Sequence, residues 1–482
     1  MQIVVDSASL QFVVFGLAVA VVSNLHRSRL WRSAVLLLAS MLFIGLMERS
    51  IPALLPLAGF LALGYVCLLM LEHRWAISLS WIIAIFVFVY IWLKRYTFLP
   101  DAILIHSTYF ALGISYIFFR VLHLLIESAE RGKERHVGIG QYLLYTLNFT
   151  TLVSGPIQRY EEFERDQFAL DPIDLGPRVV GLQLERIVRG FFKVNVLASL
   201  LNVVRVDTFA QLSGSSAFSG RLYAAFVMYA VYPLFIYANF SGYIDIVIAL
   251  ARLMRIRLPE NFDRPFSATS FIDFWNRWHI TLSTWLRTYV YNPLLITLSR
   301  RFPSRSLEPV WGVCSFFVTF FLVGLWHGRT SEFVLFGILQ GLGVVLNKIW
   351  QLVLIEALGR KMYKALTKSL IYVALARGLT FTWVAFTLSL FWVDRNDIQI
   401  IFNAIGVGPW AGVWLAIWLV AAVVLAIWES LRAALLSVRT SEGPVFTSRY
   451  ARVAYASALG LIAFIASVLL SVPAPDIVYK AF

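Results

Sequence analysis

WGVCSFFVTFFLVGLWHG, residues 311–328, is an apolar run that arrives at a histidine. From Trp311 to Trp326 no residue is charged, and Ser315 and Thr319 alone carry hydroxyls. A helix needs about 20 such residues to cross the hydrocarbon of a bilayer. The run therefore reads as a span, and an ionisable side chain at that depth is costly enough to mark a site. Similar runs lie near 8–25, 34–47, 51–72, 75–93, 101–126, 184–204, 222–250, 332–356, 369–392, 408–430 and 452–471, with 308–326 the one just quoted. The run 34–47 is short enough to be partly interfacial, so the expectation is about eleven spans, give or take two.

Composition agrees. The chain has 482 residues, of which 60% are hydrophobic and 14% charged, against about 25% charged in soluble domains. Mean hydropathy is +0.76. This excludes a soluble enzyme and predicts an all-α, polytopic integral membrane protein, residues 1–482 forming one membrane domain. The first run has Asp6 before it and His26, Arg27, Arg29 and Arg32 after it, the reverse of a cleavable signal. Positive-inside bias then puts 26–32 in the cytoplasm. The multi-pass chain is expected in the cell inner membrane. The formal net charge is +14. Topology and anionic lipid account for part of it, and a basic cytoplasmic face for an anionic partner accounts for the rest. Cys67 and Cys314 read as inert thiols. No metal-ligand spacing is present, so no metal and no bound cofactor are expected, and no nucleic-acid partner.

Three zones divide the chain. Residues 1–130 and 346–482 are plain spans, whereas 137–345 mixes polar motifs with runs broken by Gly and Pro. Broken helices at membrane depth are tolerated where they are buried in protein or line a wet cavity. Gly155-Pro156 ends a run of re-entrant length, leaving Arg159 to face a cytoplasmic ligand. Asn239, Ser241 and Asp245 lie within two turns of the run 222–250; Asp245 reads either as a ligand-binding group or as the partner of an arginine. Over 274–287, Trp275, Trp278, Leu282, Trp285 and Leu286 share one helical face. Asn276, His279, Ser283 and Arg287 share the other, which reads as an interfacial helix or as the wall of a polar channel. His327, beside Trp326 and between Gly324 and Gly328, is either a satisfied core histidine or a reacting one.

These segments resemble the bacterial branch of the membrane-bound O-acyltransferases. They are Ser154-Gly155-Pro156-Ile157-x-Arg159, Phe240-Ser241-Gly242-Tyr243-x-Asp245, Glu260-Asn261-Phe262-x-x-Pro265, Phe274-Trp275-x-Arg277-Trp278-His279-x-x-Leu282-Ser283-x-Trp285-Leu286-Arg287 and Gly324-Leu325-Trp326-His327-Gly328. The match covers roughly 105–345 in order and spacing. That branch modifies polysaccharides and peptidoglycan by O-acetylation and moves D-alanine toward teichoic acids. The resemblance implies re-entrant and interfacial helices around a central funnel open from each side, with His327 as the catalytic histidine and His279 as the second. Alginate-type members carry Asp where this chain has Thr288, and Gly-Gly-Asn-Arg where it runs Leu294-Leu295-Ile296-Thr297.

The expected chemistry is transfer of an acyl group, acetyl or D-alanyl, from a cytoplasmic thioester to a hydroxyl on the other side. The donor is acetyl-CoA or an acidic acyl carrier protein, and a periplasmic esterase-like acyltransferase is a candidate partner beside the membrane lipids. His327 serves as general base. His279, Asn276 or Ser283 donates to the developing oxyanion, and Arg159, Arg277 and Arg287 hold phosphate. The two histidines are expected to meet near the midplane. Rival readings are a transporter or flippase whose pathway is the polar zone, and a non-catalytic subunit of a polysaccharide-export complex.

Overall fold

The computed structural model describes residues 9–75, 77–131, 136–304, 306–437, 439–440, 443–444 and 448–470. Residues 132–135 of the charged segment 130–136, whose charge reads as cytoplasmic, lie outside them. The described residues are helical apart from loops and a two-residue antiparallel pairing of Arg439–Thr440 with Gly443–Pro444. In chain order the helices are α1 (Leu10–Ser23), α2 (Arg29–Met47), α3 (Ile51–Glu72), α4 (Leu79–Leu93), α5 (Ile114–Arg131), α6 (Ile139–Thr146), α7 (Phe149–Leu152), α8 (Tyr160–Gln167), α9 (Pro177–Phe192), α10 (Ser199–Gly214) and α11 (Phe218–Leu253). After these come α12 (Phe271–Trp275), α13 (Ile280–Leu286), α14 (Asn292–Arg301), α15 (Glu308–His327), α16 (Ser331–Leu366), α17 (Leu370–Ser389), α18 (Arg395–Ile405), α19 (Val407–Ser437) and α20 (Arg449–Leu470). A π-helical turn, Lys193–Ala198, joins α9 to α10, and another, Arg287–Tyr291, joins α13 to α14.

Among the described residues nine helical stretches are long and apolar enough to cross a membrane: Arg29–Met47, Ile51–Glu72, Pro177–Gly214, Phe218–Leu253, Glu308–His327, Ser331–Leu366, Leu370–Ser389, Val407–Ser437 and Arg449–Ala466. Leu10–Ser23 and Leu79–Leu93 are shorter apolar helices. The chain is an all-helical, multi-pass membrane protein. Several helices begin on a serine whose hydroxyl accepts a first-turn N–H, as Ser9, Ser28 and Ser78 do. Such caps satisfy donors that the helix cannot satisfy itself.

One expected span fails. The run 101–126 does not form a single helix. Its helical part, α5, begins at Ile114 after Gly113 at φ 78° and carries Arg120, His123 and Glu127. Arg120 is buried and donates to the carbonyls of Tyr145 at 3.0 Å, of Thr146 at 2.8 Å and of Thr151. Those carbonyls lie at the ends of α6 and α7, where no intrahelical donor remains for them. The guanidinium is thus solvated by main chain, and α5 is a core helix whose charge count suits protein surroundings rather than lipid.

The chain forms two compact units. Of the described residues, one comprises those within 9–191 and 242–260; the other comprises those within 192–241 and 261–470. In the first, Phe12, Phe43 and Phe149 meet at ring distances of 5.8–6.3 Å, and Tyr243 joins them. In the second, Ala224, Ala225, Met228, Phe381, Ala385 and Ile417 form a fully buried core between α11, α17 and α19.

Also in the second unit, α15 and α16 form a hairpin in near main-chain contact. A Cβ on Gly324 would sit 2.4 Å from Cα of Gly337, and one on Gly328 would sit 2.0 Å from the Phe333 ring. Small residues at such crossings let backbones approach where side chains would hold them apart. Gly324→Val is therefore expected to cost about 1–3 kcal/mol through overpacking, read as a lower melting temperature in detergent. Gly312→Ala on the same helix, where a Cβ meets nothing nearer than Tyr291 Oη at 3.8 Å, should melt with the wild type. Equal melting of all three proteins would show that the contact does not hold the hairpin.

Candidate active site

Both sequence-singled histidines belong to the second unit. The segment 274–287 is not the single amphipathic helix expected. It breaks at His279, which adopts φ 45°, ψ 51° between α12 and α13. Left-handed backbone at a residue other than glycine costs about 1–3 kcal/mol and persists only when its surroundings fix it. Here Asn261–Asp263 runs antiparallel to the break. Phe262 bridges Trp278, the amide of Asp263 donates to the Arg277 carbonyl at 2.9 Å, and the amide of Ile280 donates to the Asn261 carbonyl at 3.0 Å. The Asn261 side chain completes the clasp. Its Oδ1 accepts from Thr281 N at 3.1 Å and Thr281 Oγ1 at 2.9 Å, and lies 3.2 Å from His279 Nδ1.

His279 is fully buried against Phe240, ring centroids 5.1 Å apart, and Trp326, 6.2 Å. His327 is the last residue of α15, at the elbow leading to α16, rather than midway along an apolar helix. It too is buried, with Trp326 at 4.6 Å, Phe391 at 5.1 Å and Phe336 at 5.7 Å. Trp326 thus touches both histidines, and the imidazoles can be no farther apart than those two ring steps laid end to end.

A cavity of about 110 Å³ lies in the same unit. Its wall includes Ile280, next in sequence to His279, and Val323, one turn before His327. Asn276, Ser283 and Arg287 all line it, with Thr319 and Tyr291, against an apolar remainder that includes Phe316 and Phe320. The polar stripe survives the helix break, and the π turn that starts at Arg287 brings both Arg287 and Tyr291 to the cavity. π turns recur at functional sites. The two ends of α12 are tied to α16: Ile272 N donates to Asn347 Oδ1 at 3.2 Å, and Trp275 Nε1 to Gln340 Oε1 at 3.2 Å. Gln340 passes the link on to Thr387 Oγ1 at 2.9 Å.

Other expected site residues sit differently. Arg277 is engaged by Asp273 at 2.9 Å and Asp263 at 3.5 Å and is not among the residues lining the cavity. Asn239 is fully buried in α11. Arg159 and Asp245 belong to the first unit. Arg159 is exposed at the start of α8. Asp245 faces Arg186 at 2.9 Å and Arg189 at 3.4 Å, and Arg186 also holds Glu260 through two bonds of 2.7 and 2.6 Å. The carboxylate thus faces arginines of α9, the arrangement the pairing reading requires. Asn261 was missed as a site residue. Its signal was present in Glu260-Asn261-Phe262, but nothing in that triplet names His279 as its partner.

The family model described as membrane-bound O-acyltransferase matches residues 75–391. A teichoic acid D-alanyltransferase of Streptococcus thermophilus is 32% identical over 239 residues, 50% of this chain and 57% of that protein. The "Probable alginate O-acetylase" of Pseudomonas fluorescens is 29% identical over 49% of this chain and 44% of its own length. A peptidoglycan O-acetyltransferase of Helicobacter pylori is 28% identical over 51% of this chain and 43% of its own. The matched region spans about half the length of these curated relatives.

Proposed function

The chain belongs to the membrane-bound O-acyltransferase family, and from that premise we propose that it moves an acyl group, acetyl or D-alanyl, from a cytoplasmic thioester to a hydroxyl outside the inner membrane, in modification of an envelope polymer. The observation that carries this reading is the buried His279–Trp326–His327 cluster with a polar-striped cavity along the same elements. A general base must hold its imidazole unprotonated, with a nitrogen free to take the acceptor's proton.

In this mechanism His327 takes the proton of the acceptor hydroxyl as its oxygen attacks the thioester carbonyl carbon. The carbonyl electron pair moves to oxygen, and Asn276 or Ser283 donates to that oxyanion. As the pair returns, the carbon–sulfur bond breaks, and the thiolate leaves with the proton that His327 accepted. The products are an ester and a thiol. Arg287 lines the cavity and suits a phosphate of the donor. A general base contributes roughly 10²–10⁴-fold, so the proposal does not need an acyl-enzyme intermediate.

The donor is an acyl coenzyme A or an acidic carrier protein. Charge on the first unit supports an anionic donor: burial first, and the neighbouring Arg27 second, push the Arg255 guanidinium below its ordinary range, and the Arg27–Arg255 pair suits an anion. Arg257 differs, because its hydrogen bonds to Asp166 hold it above that range. The test is thiol release by the purified protein from an acyl thioester plus a hydroxyl acceptor. Release should depend on the acceptor. Apparent kcat/KM should fall several-fold as salt rises from about 10 mM to 150 mM, because screening shortens the reach of charge to about 8 Å. A flat salt response would assign the +14 charge to topology alone. Solute uptake without thiol release would favour the transporter reading.

A further inference from the structure

We propose that Asn261 is a positioning residue that fixes the tautomer of His279, holding the proton on Nδ1 so that the neutral ring presents Nε2 as an acceptor. The inference deepens the acyltransfer reading and rests on it for its catalytic meaning, although the tautomer can be observed without it.

One donor in the clasp has an identity beyond choice. A main-chain N–H can only donate, and Thr281 N points at the Asn261 side chain from 3.1 Å. The atom receiving it must be the amide oxygen, since the amide nitrogen would set donor against donor. The orientation costs something. Asn261 is fully buried, and its Nδ2 has no hydrogen-bond partner among the described residues. A buried amide N–H₂ left so is unfavourable, and it is accepted here because Oδ1 gathers three contacts at once. With oxygen fixed at that end, the contact of 3.2 Å to His279 Nδ1 is a hydrogen bond only if Nδ1 carries the proton. In a neutral imidazole the other nitrogen is then the acceptor.

The geometry is reinforced by the backbone. His279 is held in its left-handed conformation by the pairing of 261–263 with 277–280, in which the same Asn261 accepts from Ile280 N through its carbonyl. One residue therefore sets both the main-chain bend and the proton. This alters the division of labour expected from the sequence. Neutral His279 is not the hydrogen-bond donor to the oxyanion; that duty passes to Asn276 or Ser283, and His279 accepts from a substrate hydroxyl or N–H. Partners that orient metal-bound imidazoles through the second nitrogen typically cost roughly 10–100-fold when removed, and an effect of that order is expected here.

The test is nitrogen NMR of the full-length protein in lipid with ¹⁵N-histidine, His279 being assigned by the signal lost in His279→Gln. The wild type should show a protonated Nδ1 and an unprotonated Nε2. Asn261→Ala should shift the ring toward the Nε2-protonated form, and Asn261→Asp, which keeps an oxygen at the clasp, should restore the wild-type pattern. In transfer assays Asn261→Ala should lower kcat roughly 10–100-fold with a smaller change in KM, and Asn261→Asp should recover part of it. A wild-type ring protonated on Nε2 overturns the proposal. So does an unchanged tautomer in Asn261→Ala. If Asn261→Ala does not fold, loss of the wild-type tautomer in the folded Asn261→Asp protein overturns it instead. If the tautomers behave as expected while the wild type releases no thiol from any acyl thioester, the acyltransfer reading fails and the positioning role stands.

Discussion

Replacing His327 with alanine is expected to cut acyl transfer by at least about 100-fold, and by as much as roughly 10⁴-fold, the range a general base contributes. The protein should still insert and remain monodisperse. The imidazole lies at the end of α15 among Trp326, Phe336 and Phe391, while the hairpin that carries it is joined by glycine contacts elsewhere. His327→Gln, which keeps much of the volume and a hydrogen-bonding end, should be equally inactive, because an amide does not take a proton at neutral pH. Thiol release measured over a wide enzyme range decides the matter. A rate above about a tenth of the wild type in either variant would remove His327 as the base, since the smallest contribution expected of one is roughly 100-fold.

The second large effect falls on stability. Asp245→Ala is expected to cost about 3–5 kcal/mol, the usual penalty for removing one partner of a buried ion pair. Arg186 would keep Glu260, but that carboxylate is 60% exposed, and Arg189 would lose the carboxylate it pairs with at 3.4 Å. The expected result is poor yield and aggregation on size-exclusion chromatography in detergent. Asp245→Asn, which still accepts hydrogen bonds, should fall between. A monodisperse Asp245→Ala protein with wild-type melting and lost transfer would return Asp245 to the substrate-binding set.

These two residues show what was legible in the sequence. Span after span could be counted because hydrophobicity is a local property, and the all-helical class followed from it. The 101–126 run misled because the groups that solvate Arg120 are carbonyls some 25 to 31 positions away. Their availability cannot be read from α5 itself. The polar stripe of 274–287 was correct in where Asn276, Ser283 and Arg287 point and incorrect about His279. The bend there is imposed by Asn261, 18 positions upstream, and helical periodicity carries no term for a strand-like clasp. Asp245 could be recognised as needing a cation, yet the choice among so many arginines was fixed by the packing of α9 against α11, with Arg186 and Arg189 lying 59 and 56 positions before it.

The hairpin of α15 and α16 bears on how such a protein can diverge. Its joint is main chain against main chain at Gly324 and Gly337, three residues before His327. At that crossing there is no side-chain shape to be matched, whereas one residue past the histidine the Phe333 ring fills the space that Gly328 leaves. Val310, Val318, Leu322, Leu335, Leu342 and Leu346, all outward-facing on the pair, are free to drift among apolar residues with the lipid they meet. Gly324 and Gly337 set the closest approach, Gly328 against the Phe333 ring sets the next, and the histidine between them inherits its place.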